Sequence, residues 1–134
     1  MVHPSKADWL PRLDLASSVP LYEQLVEQVA LAVAAGHLSP GDPLPSVRVL
    51  ASTLRINPNT AARAVRELEL RGLALAQRGV GTVVAEGAPK VAQERARELL
   101  RRDVLALVTV ARRLGFEEKE LMTVVGAVWK EHEP

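Results

Sequence analysis

Apolar residues recur every three or four positions in three successive segments of the first half of the chain. This spacing places them on one face of a helix, so it predicts three amphipathic helices. Ser46 is a suitable cap for the second helix, and Asn57 followed by Pro58 is a strong start signal for the third. The expected helices are about Pro20–Ala35, from the Ser46 cap to Leu54, and from the Asn57 cap to about Leu70.

Two short apolar runs follow the third helix and are joined by an Arg-Gly-Val-Gly sequence. Leu73–Gln77 and Thr82–Ala85 are therefore predicted to be strands, and Arg78–Gly81 the turn of a hairpin between them. A helix, a tight turn, a second helix and a hairpin occur in this order in a winged helix-turn-helix. That order points to double-stranded DNA as the partner.

The last third of the chain predicts a helical pair. Gly87-Ala88-Pro89 suggests a boundary, after which helices are expected at about Val91–Leu114 and from Glu117 onward. Apolar residues in the long helix repeat at alternating spacings of four and three, which is typical of helices that pack along a seam. Because this seam would be exposed in a monomer, we expect a homodimer. The expected dimerisation residues are Leu100, Val104, Leu107, Ala111, Leu114, Leu121, Val125 and Val128.

The predicted fold class is mostly α with a small β-hairpin wing: an N-terminal winged helix-turn-helix plus a C-terminal two-helix dimerisation region. The expected domains are an N-terminal arm at 1–19, the DNA-binding domain at 20–86 and the helical hairpin at 90–131. In the arm, Leu10, Leu13 and Leu15 could pack a brief strand onto the body. Ser17 or Ser18 is expected to cap the first helix.

Composition excludes several classes of protein. The 134 residues contain no cysteine, which removes a disulfide scaffold, a thiolate metal site and a cysteine nucleophile. No run of 18 apolar residues occurs and the N-terminus lacks a signal-peptide pattern, so a cytoplasmic location is expected. The three histidines are scattered, and neither a phosphate-binding loop nor a catalytic triad is present. We expect a protein that is not an enzyme and that uses no metal or cofactor.

The net charge of +1 says little, but its distribution is uneven. Between residues 43 and 82 there are six arginines and two acidic residues, whereas the rest of the chain has 11 basic and 14 acidic residues. A basic segment in an otherwise acidic chain favours a polyanionic partner, although a solvated face would look similar.

The third helix would enter the major groove with its N-terminal end. Asn57, Asn59, Thr60 and Arg63 lie at this end, and asparagine and threonine can bond base edges. Asn57 is better explained as the helix cap. Asn59 is not needed as a cap and is better explained as a DNA contact. For Arg63, a DNA contact and a surface pair with Glu67 are about equally favoured.

Other DNA contacts are expected at the second helix and at the hairpin. Arg48 is in the first turn of the second helix, beside the backbone in this motif, and Ser46 could bond a phosphate although its cap role is favoured. Arg78 could enter a narrow minor groove, and Gly79 permits close approach of the backbone. The alternative for both is an ordinary exposed turn.

These residues resemble the GntR family of bacterial transcription regulators. The resemblance covers residues 20–86, and residues 111–131 resemble the two-helix tail of the YtrA subfamily. The matching motifs are PLYEQL at 20–25, PGDPLPSVRVLA at 40–51, NPNTAARAVRELELRGL at 57–73 and RGVGTVV at 78–84.

The resemblance implies DNA contacts by Arg48, by Asn57, Asn59, Thr60 and Arg63, and by Arg78 and Gly79 of the wing. It also implies dimerisation through the C-terminal region and, in this subfamily, frequent repression of transporter operons. Some relatives carry basic residues where this chain has Pro58 and Ala62, so their base preferences do not transfer.

The sequence therefore favours a homodimeric, sequence-specific DNA-binding repressor acting on a pseudo-palindromic operator. A small-molecule effector, if one exists, would act by changing the spacing of the two recognition helices. The alternative is a winged-helix module that binds a protein without specific DNA binding. Neutral exposed residues at 57–63 would favour that alternative, and the basic and amide side chains there oppose it.

Overall fold

The computed structural model describes residues 12–134 as five helices and one two-stranded antiparallel sheet. The elements are α1 (Leu21–Ala34), α2 (Val47–Leu54), α3 (Pro58–Leu70), β1 (Ala74–Gln77), β2 (Gly81–Val84), α4 (Ala88–Arg113) and α5 (Glu118–Glu131). The chain divides into two compact units, the first ending at Ala96 and the second comprising Arg97–Pro134. The mostly helical fold with a hairpin after the helix-turn-helix is as predicted.

Helices α2 and α3 begin where their caps predict. The Ser46 hydroxyl accepts a hydrogen bond from the Val49 N–H at 3.1 Å, and the Asn57 side chain accepts one from the Asn59 N–H at 2.8 Å. Each bond satisfies a backbone donor that has no partner inside its helix.

The predicted cap of α1 is wrong. The helix is preceded by Pro20 without a side-chain cap, because the Ser17 hydroxyl instead accepts from the N–H of Val19.

The core of the first unit is built from small and aliphatic side chains. Close packing of α1 and α2 against α3 is possible because Ala61 and Ala64 bring little bulk to the contact. The largest fully buried side chains are Leu25, Val26, Val29, Leu73 and Val84. This packing fixes the orientation of α3, whose opposite face remains exposed.

The β1–β2 hairpin, called the wing below, has an additional partner that the sequence did not predict. In the wing, Ala74 pairs with Val84 and Gln77 with Gly81. The loop before α2 also runs along β2, with Leu44 N–H bonded to Thr82 O at 2.8 Å and Val84 N–H bonded to Asp42 O at 2.9 Å. These bonds connect the base of the wing to the segment that leads into α2.

Helix α4 begins at Ala88, three residues before the predicted start. The reason is burial, because Ala88 and Ala92 belong to the core of the first unit and are fully buried. Gln93 donates a side-chain hydrogen bond to Ala34 O, and Arg95 Nε lies 2.9 Å and 3.1 Å from the two carboxylate oxygens of Glu27. The first two turns of α4 are therefore attached to α1.

The second unit contains the rest of α4 and all of α5. Gly115, with φ +82°, ends the first of these helices, and Glu120 accepts a hydrogen bond from the Glu117 N–H at the start of the second. Of the residues predicted for dimerisation, Ala111 is buried and Leu121 is half-buried. The other six are exposed: Leu100, Val104, Leu107, Leu114, Val125 and Val128.

The segment before α1 is held by one side chain. The Gln24 amide accepts a hydrogen bond from the Asp14 N–H and donates to the carbonyl oxygens of Asp14 and Val19. Leu15 is 80% exposed, so its predicted packing onto the body is wrong. Leu10 and the rest of the predicted arm up to residue 11 lie outside the described residues.

Within residues 12–134, no helix has the length and apolar character needed to cross a membrane.

Candidate nucleic-acid interface

The turn between α2 and α3 is formed by a left-handed residue. Arg55 has φ +54°, and the Ile56 N–H then donates to Ala51 O at 3.0 Å. This bond ends α2, and α3 starts at Pro58 after a turn of three residues. The geometry is that of a helix-turn-helix with α3 as the second, groove-entering helix.

Two asparagines lie at the start of α3, and they differ in the hydrogen bonding of their side chains. The Asn57 side chain is engaged as the cap, which is the interpretation the sequence favoured. Asn59 is exposed, and its side chain has no hydrogen-bond partner among residues 12–134. Thr60 is half-buried beside it. The free amide of Asn59 can therefore offer a donor and an acceptor to a base edge.

Ser46 and Arg48 lie at the start of α2. Ser46 acts as the cap but is exposed, so its hydroxyl proton can still be donated. Arg48 is exposed and has no ion-pair or hydrogen-bond partner in the described part of the chain. Because Leu44 is bonded to β2, both residues lie just after a segment that is fixed to the base of the wing.

The turn at the tip of the wing is exposed to solvent. The Val80 N–H donates to Gln77 O at 3.0 Å, which closes a four-residue turn with Gly79 at φ +82°. Glycine suits this position because other residues are strained there. No atom lies within 4 Å of the place where a Cβ of Gly79 would be. Arg78 is exposed and lacks a protein partner within residues 12–134.

Most of the arginine charge in this region is not neutralised. Of the six arginines between residues 43 and 82, only Arg71 makes an ion pair in the structure of residues 12–134. It contacts Glu23 at 2.8 Å and Glu67 at 3.3 Å. Burial of Arg71 opposes its charged form, but the hydrogen bonds and charges of Glu23 and Glu67 outweigh this effect and raise its pKa above the usual value. Arg71 therefore links α3 to α1 and has a structural role.

Arg63 does not form the predicted alternative pair with Glu67, because Glu67 is bonded to Arg71. Instead its guanidinium carbon lies 3.9 Å from the centre of the Tyr22 ring, and one terminal nitrogen donates to the Tyr22 hydroxyl at 3.2 Å. The sequence analysis missed Tyr22. The available signal was that the one tyrosine of the chain is within the PLYEQL motif.

The C-terminal unit contains a different kind of surface. Its apolar side chains form an open groove with a volume of about 600 Å³. The groove is lined mainly by α5, whose apolar face the periodicity of Leu121, Val124, Val125 and Val128 predicts. The sequence analysis missed Trp129. The main lining residues are Leu107, Leu121, Val124, Val125, Val128 and Trp129.

Comparison with known proteins gives a consistent result. The family model for bacterial regulatory proteins of the gntR family matches residues 21–84. The HTH-type transcriptional repressor YtrA of Bacillus subtilis (strain 168) is 36% identical over 110 residues, covering 82% of this chain and 85% of that protein. The HTH-type transcriptional regulator Rv1152 of Mycobacterium tuberculosis is 39% identical over 115 residues, covering 86% of this chain and 89% of that protein.

The fold also matches a solved structure. The crystal structure of a transcriptional regulator from Oenococcus oeni superimposes with a TM-score of 0.71 and 29% identity. The match covers 87% of this chain and 96% of that one. Because an alignment of 115 residues is too long to end at residue 84, the similarity to the Mycobacterium tuberculosis regulator continues through α4.

Proposed function

Because the chain belongs to the GntR family of bacterial regulatory proteins, we propose that it is a homodimeric transcriptional repressor that binds a pseudo-palindromic operator. The chain carries the family's DNA-binding helix-turn-helix. The homodimer, the operator and the repression are the proposed parts. The relative named as a transcriptional repressor supports repression, and the resemblance to its subfamily extends the proposal to a transporter operon.

The observation that carries the proposal is the set of unpaired side chains around the helix-turn-helix. Arg48, Asn59 and Arg78 lie on α2, α3 and the wing, and none has a partner within residues 12–134. Unpaired cations suit phosphates, and an unpaired amide suits a base edge. We therefore assign base contacts to Asn59 and Thr60, backbone contacts to Ser46, Arg48 and Gly79, and a contact in the minor groove to Arg78. Asn57 holds the end of the recognition helix in place.

The C-terminal unit supports the homodimer. Its two helices leave large apolar side chains in water, including Leu114 at 68% and Trp129 at 72% exposed. The part of α4 from Val104 to Ala111 has apolar residues on all sides, and a single α5 cannot cover them. A second copy of the same pair would bury these surfaces in a four-helix arrangement with two-fold symmetry. Two recognition helices would then address two half-sites.

The first experiment is a selection of bound sequences from random duplex DNA at near-physiological salt. We expect enrichment of an inverted repeat whose half-sites are separated by about one helical turn, 10–10.5 base pairs between their centres. Enrichment of a single half-site would contradict the homodimer on DNA. General binding without enrichment would contradict a specific operator. If no DNA is bound, the chain is better explained as a protein-interaction module.

Two substitutions test the assigned contacts on the selected operator. Arg48→Ala should weaken binding to all sequences alike and reduce the salt dependence of binding, because a phosphate contact carries no sequence information. Asn59→Ala should reduce discrimination at one base pair by about 1–3 kcal/mol in each half-site. Binding to operators with single base changes measures both effects. Equal loss of discrimination in the two variants would contradict the assignment.

A further inference from the structure

We propose that Tyr22 is a positioning residue for DNA binding, which holds the Arg63 guanidinium so that it donates to a DNA phosphate beside the recognition helix. This inference rests on the proposed function. It concerns a residue of α1, outside the helix-turn-helix itself, whose part in DNA binding would be indirect.

Two contacts join Tyr22 to Arg63, although the residues are 41 positions apart in the chain. The guanidinium carbon is 3.9 Å from the ring centre, which is within the range of a cation–π interaction. A terminal nitrogen is also 3.2 Å from the phenolic oxygen. A stacked ring and a hydrogen bond to the same side chain restrict the guanidinium more than either contact would alone.

The charge of Arg63 remains available. The nearby carboxylates of Glu23 and Glu67 are both bonded to Arg71, and neither forms an ion pair with Arg63. A tyrosine ring holds a cation without neutralising it, whereas a carboxylate would cancel the charge that a phosphate needs. The guanidinium has five N–H donors, of which the bond to Tyr22 uses one.

The position of Arg63 favours phosphate over base. Asn59 precedes it by one helical turn on the same face of α3, nearer the end that enters the groove. Arg63 is attached to α1, so it is not free to extend along α3 toward the bases. A cation held beside α3 is suited to the sugar-phosphate wall. Holding it in place before binding reduces the entropy lost when the complex forms.

The test is a double-mutant cycle with Tyr22→Leu, Arg63→Ala and the double variant, measured on the selected operator at several salt concentrations. Arg63→Ala should reduce the slope of log K against log salt by about 1 per protomer. Tyr22→Leu should lower affinity about two- to fivefold per half-site when Arg63 is present, and have no further effect when it is absent.

Two further variants serve as controls for the double-mutant cycle. Tyr22→Phe retains the ring but not the hydroxyl, so it should fold and should lose less affinity than Tyr22→Leu. Arg66→Ala removes another exposed arginine of α3, one without a partner in residues 12–134, and its effect should add to that of Tyr22→Leu without coupling. Thermal unfolding of each variant separates a loss of affinity from a loss of fold.

Three results would overturn the inference. An equal effect of Tyr22→Leu with and without Arg63 would mean that Tyr22 only supports α1. An unchanged salt slope in Arg63→Ala would exclude a phosphate contact, and loss of discrimination at one base pair would assign Arg63 to a base. If the unaltered chain selects no operator, the proposed function fails, whereas a selected operator with no coupling in the cycle removes only the role of Tyr22.

Discussion

At the scale of single residues, the helix-turn-helix depends on a backbone conformation that its sequence does not favour. Arg55 is the one non-glycine residue with a positive φ among residues 12–134. The left-handed region costs a residue with a Cβ about 1–2 kcal/mol. The turn nevertheless forms because Leu50 and Ala51 before it and Ala61 and Ala64 after it are buried together.

Replacing Arg55 with glycine should stabilise the protein. Arg55→Gly relieves the left-handed strain but adds backbone entropy to the unfolded chain, so the expected net gain is up to about 1 kcal/mol. Urea unfolding at a fixed protein concentration measures it. Arg55→Ala retains the Cβ and should give no comparable gain. If the two variants unfold at the same midpoint, the strain at this position is negligible.

At the scale of elements, α4 belongs to both units. Its first turns are packed into the core of the first unit through Ala88 and Ala92, and the Arg95–Glu27 pair attaches them to α1. The part of α4 up to Ala96 is thereby held within the first unit by side-chain contacts. Because α1 also packs on α3, these contacts connect the recognition helix to the base of α4.

The Arg95–Glu27 pair can be tested by removing one charge. Glu27→Gln should lower the free energy of unfolding by about 0.5–1 kcal/mol, since the pair is only partly buried. Glu94→Gln is the control, because Glu94 is exposed on α4 next to Arg95 and has no partner among residues 12–134. Chemical denaturation should give a lower free energy of unfolding for Glu27→Gln than for Glu94→Gln. Equal stability would mean that the pair does not hold α4.

At the scale of the whole molecule, the exposed apolar surface of the C-terminal unit is the feature that bears on assembly. Its C-terminal unit leaves an apolar groove and most of its predicted seam exposed. Exposed apolar surface of this extent is typical of an interaction site. The homodimer that we propose would bury it and would bring two DNA-binding units together.

Charging this surface should separate the protomers. Leu107→Arg places a cation in the groove, and we expect a shift from dimer to monomer together with a loss of operator affinity of about 100-fold or more. Light scattering over a concentration series, followed by operator titration, measures both. Leu70→Gln is the control, because Leu70 is 80% exposed on α3 in the other unit. A Leu107→Arg variant that remains dimeric would contradict this interface.

The sequence by itself determined the elements and their order. Caps and periodicity are local properties, so Ser46, Asn57 and Pro58 gave the starts of α2 and α3 without knowledge of the fold. Arg48, Asn59 and Arg78 could be named as candidate contacts from their places in these elements. The order of helices and hairpin, together with four motifs, was enough to indicate the family.

Only the tertiary structure decided the contacts between residues far apart in the chain. The stacking of Arg63 on Tyr22, the bond from Leu44 to β2 and the burial of Ala88 each join segments that no local pattern relates. Arg63 and Glu67 have the spacing of an ion pair within a helix. Glu67 nevertheless pairs with Arg71, because Glu23 of α1 also binds Arg71 and holds its guanidinium beside Glu67. Packing between elements selects among partners that local spacing leaves equivalent.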